Sequence, residues 1–251
     1  MGWLHGGHRA LMATARAVNA TTVVTIFVNP RQFGDPADLA RYPRNEARDV
    51  ATCEAEGVDL VFAPPVDEVY LPGFDTTVSA GAIGRPLEGA ARPGHFDGVA
   101  TVVAILFNLV DADHAYFGQK DAQQIAVIRH MAADLAIRTE VVACPTVREP
   151  DGLAMSSRNV HLGTAERVAA PVLHRALAAA RDAWAGGERS GGVLRATMLN
   201  VLRREPLAVV DYVSCADAVT LAEVERVDGP ALLSLAVRFG STRLIDNEPL
   251  G

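Results

Sequence analysis

The sequence predicts an α/β fold with a parallel sheet, followed by a smaller α+β domain. Its 251 residues are enough for one large domain or two modest ones. Up to Pro145, apolar β-branched runs alternate with helical segments, the rhythm of βαβ units. Beyond Pro145, helices rich in alanine and leucine precede strand-like runs that are predicted to pair in antiparallel. We therefore assign residues 1–146 to the first domain and 147–251 to the second.

The first half justifies a parallel sheet element by element. Residues 6–19 are predicted to form a helix that offers several apolar side chains for burial. Thr21 to Val28 is nearly continuous and β-branched, which is typical of a parallel strand buried on both faces. The further elements predicted here are helices over 45–56, 97–110 (with Asp97 as a candidate N-cap) and 121–135, and strands over 59–63, 76–79, 114–117 and 139–143.

The second half has a different order of elements. Helices are predicted over 164–184 and 190–204, joined by Gly186-Gly187. Strands come after them, over 209–213, 232–239 and 242–245. Helices followed by consecutive strands are the arrangement of an α+β domain.

The composition excludes several classes of protein. Hydrophobic residues make up 49% and charged residues 21%, which is typical of a globular protein, and the net charge of −7 argues against a nucleic-acid surface. No apolar run reaches the roughly 18 residues of a membrane span, and no apolar segment typical of a signal peptide follows Met1. The three cysteines lack the spacing of a disulfide framework or zinc site. We expect a cytoplasmic protein that binds neither membrane nor nucleic acid.

The first candidate for chemistry is the opening stretch, where His5 and His8 flank a glycine pair. If a helix begins near Gly6, the two imidazoles share one face of its first turn. Free backbone N–H groups and the positive end of the helix dipole suit that turn to phosphate. The alternative is a frayed chain end with two solvated histidines.

Four other segments fall at strand ends or in loops, where ligands of open α/β sheets collect. Their polar groups are an amide at Gln32, a glycine and a lysine in Gly118-Gln119-Lys120-Asp121, and two hydroxyls with a guanidinium in Met155-Ser156-Ser157-Arg158. The fourth segment, 92–99, contains Arg92 and His95. Amides bind small polar substrates, and lysine, arginine and hydroxyl groups bind phosphate.

Each of these segments also has a purely structural interpretation. Gln32 could be an ordinary loop residue, and Lys120 a solvated charge beside an Asp121 that caps the next helix. The serine-rich segment could be an interdomain turn rather than a clamp that closes over a nucleotide. Segment 92–99 could be only the start of a helix.

Taken together, the segments resemble one enzyme family. They are MGWLHGGH at 1–8, IFVNPRQF at 26–33, YPR at 42–44, LEG at 87–89, RPGHFDGVATVV at 92–103, FGQKD at 117–121 and VREPDGLAMSSRN at 147–159. Their order and spacing over nearly the whole chain resemble the pantothenate synthetase (pantoate–β-alanine ligase) family, within the superfamily of nucleotidyltransferases and class I aminoacyl-tRNA synthetases.

The resemblance implies a fold and a reaction. The fold is a Rossmann-like parallel sheet domain with a smaller C-terminal α+β lid domain. In the family a strand ending in Pro-Thr directly precedes the Met-Gly that opens this sequence, so the first strand is apparently missing here. ATP, with Mg²⁺ on its phosphates, and (R)-pantoate form pantoyl-adenylate and pyrophosphate. β-Alanine then releases AMP and yields pantothenate, and the enzyme is expected to be a homodimer.

The resemblance also assigns roles to residues. His8 is the proposed proton donor, with His5, Lys120, Ser156, Ser157 and Arg158 as the other catalytic residues. Gln32 and Gln124 should hold pantoate, with Gln32 near β-alanine as well. No residue is assigned as a metal ligand. The residues expected to bind ATP are Met1, Gly2, Trp3, Leu4, His5, Gly6, Gly7, His8, Gly118, Gln119, Lys120, Asp121, Val147, Met155, Ser156, Ser157 and Arg158.

Two other interpretations stay open at the level of sequence. One is a related adenylyltransferase that transfers AMP to a phosphate acceptor; Gln32, Gln124 and the long second domain argue against it. The other is an inactive, N-terminally truncated relative that keeps only a binding or dimerisation role.

Overall fold

The structure, a computed structural model, describes residues 2–34 and 36–251. It divides into two compact units, Met1–Pro145 and Thr146–Gly251. Each unit has its own apolar core. The α/β class predicted from the sequence, with parallel strands first and a separate α+β unit after them, is confirmed.

Two parallel strand pairs form the sheet structure of the first unit. β1 (Val23–Thr25) pairs with β2 (Leu60–Phe62), and β3 (His114–Gly118) pairs with β4 (Glu140–Cys144). The ladder of β1 is shorter than the predicted strand over 21–28, although the Ile26 amide still donates to the Phe62 carbonyl at 2.8 Å. The parallel pairing brings the ends of β3 and β4 into register, so that the segments after both strands emerge on one side.

Helices surround these strands. Those of the first unit are α1 (Gly6–Val18), α2 (Pro36–Arg41), α3 (Glu46–Ala55), α4 (Val66–Val69), α5 (Glu88–Ala91), α6 (His95–Val110) and α7 (Ala122–Asp134). α6 is apolar around most of its circumference and supplies the largest share of the main core, against α7. The short helices α2, α4 and α5 were not predicted, because four to six residues carry too little periodicity to detect.

Two predictions near α6 are wrong. The segment 76–79 is not a strand, because the amides of Val78 and of Ala80 just beyond it are bound by side chains of α6 instead of a neighbouring strand. Val78 donates to Thr101 Oγ1 at 2.9 Å, and Ala80 donates to Asp97 Oδ1 at 2.7 Å. Asp97 therefore does not cap α6; the N-cap is Gly94 in the left-handed region (φ 78°).

The second unit packs three helices on a three-stranded antiparallel sheet. The helices are α8 (Thr164–Ala169), α9 (Val172–Ala185) and α10 (Gly191–Leu202), and the strands are β5 (Val209–Asp217), β6 (Ala231–Phe239) and β7 (Thr242–Leu250). The single helix predicted over 164–184 is divided before Val172. Pro171 lacks the amide hydrogen that a continuous helix needs there. The core lies between the helices and β6, whose side chains are nearly all buried.

No helix in the described ranges is long and apolar enough to cross a membrane. All three cysteines are buried free thiols.

Candidate active site

The opening histidines form a reciprocal cap at the start of α1. His5 is the N-cap residue, and its Nδ1 accepts from the Gly7 amide at 3.1 Å. The His5 amide in turn donates to His8 Nδ1 at 3.2 Å. The two ring centroids lie 4.1 Å apart. This pairing fixes both imidazoles at the helix N-terminus, where the dipole favours an anion.

The same bonds determine how the imidazoles are protonated. Because each Nδ1 accepts a backbone N–H, the proton of each neutral ring must lie on Nε2. Burial, followed by Lys120, lowers the pKa of His5. Burial, followed by the neighbouring His5, lowers the pKa of His8 to about 3. At neutral pH the site therefore contains two neutral imidazoles, each with an Nε2–H donor.

The chain ahead of α1 is held by α3, a contribution that the sequence did not reveal. Asp49, buried in α3, accepts from the amides of Trp3 at 2.7 Å and Leu4 at 2.8 Å. Trp3 has a positive φ of 54°, which is unfavourable for a bulky residue. The Arg48 guanidinium stacks 4.4 Å from the Trp3 ring and donates to the Leu4 carbonyl. These contacts determine the path of the chain into His5.

Lys120 adds a positive charge beside the histidines, in addition to the positive end of the α1 dipole. It lies in a 3₁₀ turn, Gln119–Asp121, directly after β3. It is the only lysine in the sequence, so every other permanently charged basic side chain is arginine. Its ammonium group lies 3.4 Å from Asp121 Oδ1, and both charges act on the two histidines. A Cβ added at Gly118 would meet open space, so the backbone there is accessible to a ligand.

The carboxamide of Gln32 is positioned by Asn29, which the sequence patterns did not select. Asn29 is buried just after β1, and its Nδ2 donates to Gln32 Oε1 at 3.1 Å and to the Gly98 carbonyl at 3.0 Å. The Tyr70 hydroxyl donates to Asn29 Oδ1 at 2.7 Å. Burial raises the pKa of Tyr70 to about 12, so this donor keeps its proton. The Asn-Pro pair at the strand end was the available signal.

Segment 92–99 supports the backbone of Gln32. The Gln32 carbonyl lies 3.3 Å from Arg92 Nη2 and 2.8 Å from His95 Nδ1. Gln124 lies half-buried in the first turn of α7, shortly after Lys120. Its neighbour Gln123 is different: it is buried and bound to the backbone at Ile83, Pro86 and Glu88.

The second unit holds the remaining predicted site residues on a short hairpin and the turn after it. The Met155 amide donates to the Val147 carbonyl at 2.9 Å, which closes the hairpin. Ser156 then caps a 3₁₀ turn, Ser157–His161, and its Oγ accepts from the Arg158 amide at 3.2 Å. The Ser156 hydroxyl hydrogen is thus available as a donor, close in sequence to a guanidinium.

In the first unit the structure therefore brings together His5, His8, Lys120 and Asp121, with Gly6 and Gly7 as the first residues of α1. Gly2 and Leu4, which precede His5, are buried. Met1 lies outside the described residues. Within each unit, the predicted residues supply hydrogen-bond donors and positive charge, which suit a polyanion.

Comparisons with known proteins agree on one family. A family model described as pantoate-β-alanine ligase matches residues 1–249. The pantothenate synthetase of Roseiflexus castenholzii is 60% identical over 247 residues, covering 98% of this chain and 89% of that protein. That of Geobacter sulfurreducens is 52% identical over 251 residues, covering 100% and 89%.

Solved structures give the same result. The pantothenate synthetase of Thermus thermophilus superposes with a TM-score of 0.96 at 48% identity, covering 99% of this chain and 90% of that one. The pantoate-β-alanine ligase of Francisella tularensis, complexed with β-γ ATP and β-alanine, gives a TM-score of 0.79 at 31% identity, covering 99% and 86%.

Proposed function

The chain belongs to the pantoate–β-alanine ligase family, and we propose that it joins (R)-pantoate to β-alanine with ATP, by way of a pantoyl-adenylate. The observation that carries the proposal is a pair of neutral histidines at the start of α1. Lys120, the only lysine in the sequence, lies beside them. Two N–H donors and one positive charge at a helix N-terminus form a site for the phosphates of a nucleotide.

The chemistry proceeds in two balanced steps. A carboxylate oxygen of pantoate attacks the α-phosphorus of ATP, the bond from that phosphorus to the bridging oxygen breaks, and pyrophosphate leaves. The amine of β-alanine, after losing a proton, then attacks the activated carbonyl and expels AMP. The protein's contribution is positioning and charge stabilisation, as in other phosphoryl transfers.

For the ATP side we propose the residues that the motifs select. In the first unit, these are the backbone from Gly2 to Gly7, the Nε2–H groups of His5 and His8, and the segment Gly118, Gln119, Lys120 and Asp121, with Lys120 on the phosphates and Asp121 near the ribose or adenosine side. In the second unit, Val147 contacts adenine, and Met155, Ser156, Ser157 and Arg158 bind the triphosphate. Ser156 and Arg158 are supported by their place in one turn, where Ser156 Oγ accepts from the Arg158 amide and keeps its own hydrogen as a donor.

We propose that Mg²⁺ enters as part of the nucleotide substrate. The described residues contain no group of three or more histidine, cysteine, aspartate or glutamate side chains suited to hold a metal ion. Mg²⁺ keeps several waters and is bound largely through substrate phosphates. Its contribution is to neutralise charge on those phosphates. No protein ligand is assigned to it.

For pantoate we propose Gln32 and Gln124. The support for Gln32 is that Asn29 fixes its Oε1, which orients the amide nitrogen as a donor to a carboxylate or hydroxyl. Gln124 follows Lys120 by one helical turn, which places it on the same stretch of chain as a phosphate-binding group. Gln32 is also proposed to lie near β-alanine.

We further propose a cytoplasmic homodimer, with the second unit as a lid domain. The dimer and the lid rest on family resemblance alone. The support for a reducing compartment is that all three cysteines are free thiols. Light scattering of the purified protein measures the dimer: twice the mass of the chain is expected, and a monomeric mass would contradict it.

The decisive assay measures AMP and pyrophosphate separately. AMP should be released only when ATP, pantoate and β-alanine are all present. ATP and pantoate without β-alanine should give at most one equivalent of pyrophosphate per site. Steady AMP release without β-alanine would contradict the ligase. Transfer of AMP to a phosphate ester would identify an adenylyltransferase instead, and no turnover at all would indicate an inactive relative.

A further inference from the structure

A buried ion pair joins the hairpin that carries Val147 and Met155 to strand β7 of the second unit. Arg148 donates from Nη1 to Asp246 Oδ2 at 2.6 Å and from Nη2 to Asp246 Oδ1 at 3.1 Å. Asp246 lies in β7, and its side chain is 1% exposed. Two parallel bonds between a guanidinium and a carboxylate fix direction as well as distance.

The same guanidinium also holds the tip of the hairpin. Arg148 Nη1 donates to the Gly152 carbonyl at 3.1 Å. Gly152 has a φ of +92°, and a Cβ there would lie 2.5 Å from Cδ2 of His174 in α9. Only glycine allows this conformation and this close approach. The tip is thus bound to Arg148 on one side and packed on α9 on the other.

Other bonds transmit this position to the predicted ATP-binding residues. Arg148 and Ala154 form a bridge across the hairpin, and the Met155 amide binds the Val147 carbonyl at 2.9 Å. Leu153, 3% exposed, inserts into the core of the unit. The Asn159 Nδ2 group donates to the Ala154 carbonyl at 3.1 Å, which links the hairpin to the turn with Ser156 and Arg158.

We propose that Arg148 and Asp246 are positioning residues for the ATP site: their ion pair sets where Val147 and the Ser156–Arg158 turn present their groups to the nucleotide. The inference rests on the proposed ATP-dependent function. It adds two residues that touch no substrate, one of them 98 positions away from its partner in the sequence. Nucleotide-binding groups must be held closely, because a displacement of about 1 Å can cost roughly 10²-fold in rate.

The test separates positioning from stability. Arg148→Lys keeps the charge but loses the planar fork. The double variant Arg148→Met with Asp246→Leu removes both charges together. Removing only one partner would leave a buried, unpaired charge and strongly destabilise the unit, whereas replacing both partners is often tolerated. The control is Arg181→Met, which breaks the ion pair between Arg181 in α9 and Glu248 in β7 without touching the hairpin.

We expect kcat/KM for ATP to fall by about 10²-fold in the double variant and to fall in Arg148→Lys as well, with the KM for pantoate unchanged. The control should keep wild-type values. Calorimetry with a non-hydrolysable ATP analogue should give the same ranking of affinities. If Arg148→Lys keeps wild-type affinity and kcat/KM for ATP, or a folded double variant does, the inference is wrong. Wild-type enzyme without pantothenate synthesis would instead refute the proposed function.

Discussion

The chemical role of a single side chain at this site depends on its protonation state as much as on its position. The resemblance gives His8 the role of proton donor. In the structure its Nδ1 already accepts a backbone hydrogen, and its pKa is lowered to about 3 by burial and by the adjacent His5. A neutral imidazole donates a hydrogen bond through Nε2 without carrying a charge. We infer that His8 becomes protonated, and so able to donate a proton, when phosphate is bound beside it.

This inference predicts a pKa change on nucleotide binding. The anionic phosphates favour the charged imidazolium, so the pKa of His8 should rise from about 3 when an ATP analogue binds. ¹⁵N-edited NMR titration of the imidazoles measures this directly. The ring signals of His130, which is exposed on α7, should not respond to the nucleotide. A His8 pKa that is the same with and without the analogue would contradict the inference.

The same shift makes the stability of the fold depend on pH. The pKa of His8 is lower in the folded chain than in the unfolded chain, so protonation favours the unfolded state. The contribution of His8 to stability is therefore complete above about pH 6.5 and is lost as the pH falls toward 3. Urea unfolding at several pH values measures it. His8→Gln should lose less stability than wild type over this range.

Lys120 offers a test that few proteins allow. Because it is the only lysine, reductive methylation modifies this side chain and the terminal amine alone. We expect ATP to protect Lys120 from the reagent, measured by mass spectrometry. Lys120→Ala should lower kcat by about 10²-fold or more through loss of charge stabilisation in the transition state. Near-normal turnover of Lys120→Ala would remove it from the mechanism.

Among the secondary-structure elements, α3 has a role that was not predicted from its sequence. Its Asp49 binds two backbone amides of the segment ahead of α1. Asp49→Asn places an amide group against one of these donors, which costs about 1–3 kcal/mol for the bond lost. We expect a higher KM for ATP and an unchanged KM for pantoate, from steady-state kinetics. Glu46→Gln, an exposed change on the same helix, is the control, and wild-type kinetics in Asp49→Asn would exclude this role.

The start of α6 approaches the turn after β1 so closely that it requires glycine. A Cβ added at Gly98 would collide with the backbone carbonyl of Arg31, next to Gln32. Gly98→Ala should therefore move the Gln32 carboxamide and raise the KM for pantoate by about tenfold, in the range of small displacements in a site. The control is Gly229→Ala, where an added Cβ meets open space. Gly73→Ala is unsuitable as a control because Gly73 has a positive φ. An unchanged KM for pantoate in Gly98→Ala would argue against Gln32 as its ligand.

In the molecule as a whole, each unit rests on its own core. Phe239, fully buried in β6, belongs to the core of the second unit. Phe239→Ala should destabilise that unit by about 3–5 kcal/mol, through lost burial and the cavity left behind. Denaturant unfolding followed by fluorescence measures this. Ile128→Val, a one-methylene change in the core of the first unit, should cost only about 0.5–1.5 kcal/mol.

Much of the fold and the site could be predicted from the sequence, because the signals are local. The run TTVVTIFV predicts a buried strand, and α6 is recognisable from its length and apolar content. The opening histidines are three residues apart at a helix start, so a local capping arrangement brings them together. The strand predicted over 76–79 was wrong because the partner is distant: the amides of Val78 and Ala80 bind side chains of α6 about twenty residues later. Local periodicity contains no record of such a partner.

The sequence alone was enough for the family and the reaction, because these depend on which chemical groups occur in which order; the residues that meet substrate stay a prediction from the same motifs. How those groups are held and protonated became clear only from the folded chain. Asp49 reaches back 45 positions to Leu4, and Asp246 reaches 98 positions to Arg148. The lowered pKa of His8 comes from burial, which arises only when the chain is packed. Contacts and desolvation of this kind are properties of the folded molecule, so no stretch of sequence specifies them alone.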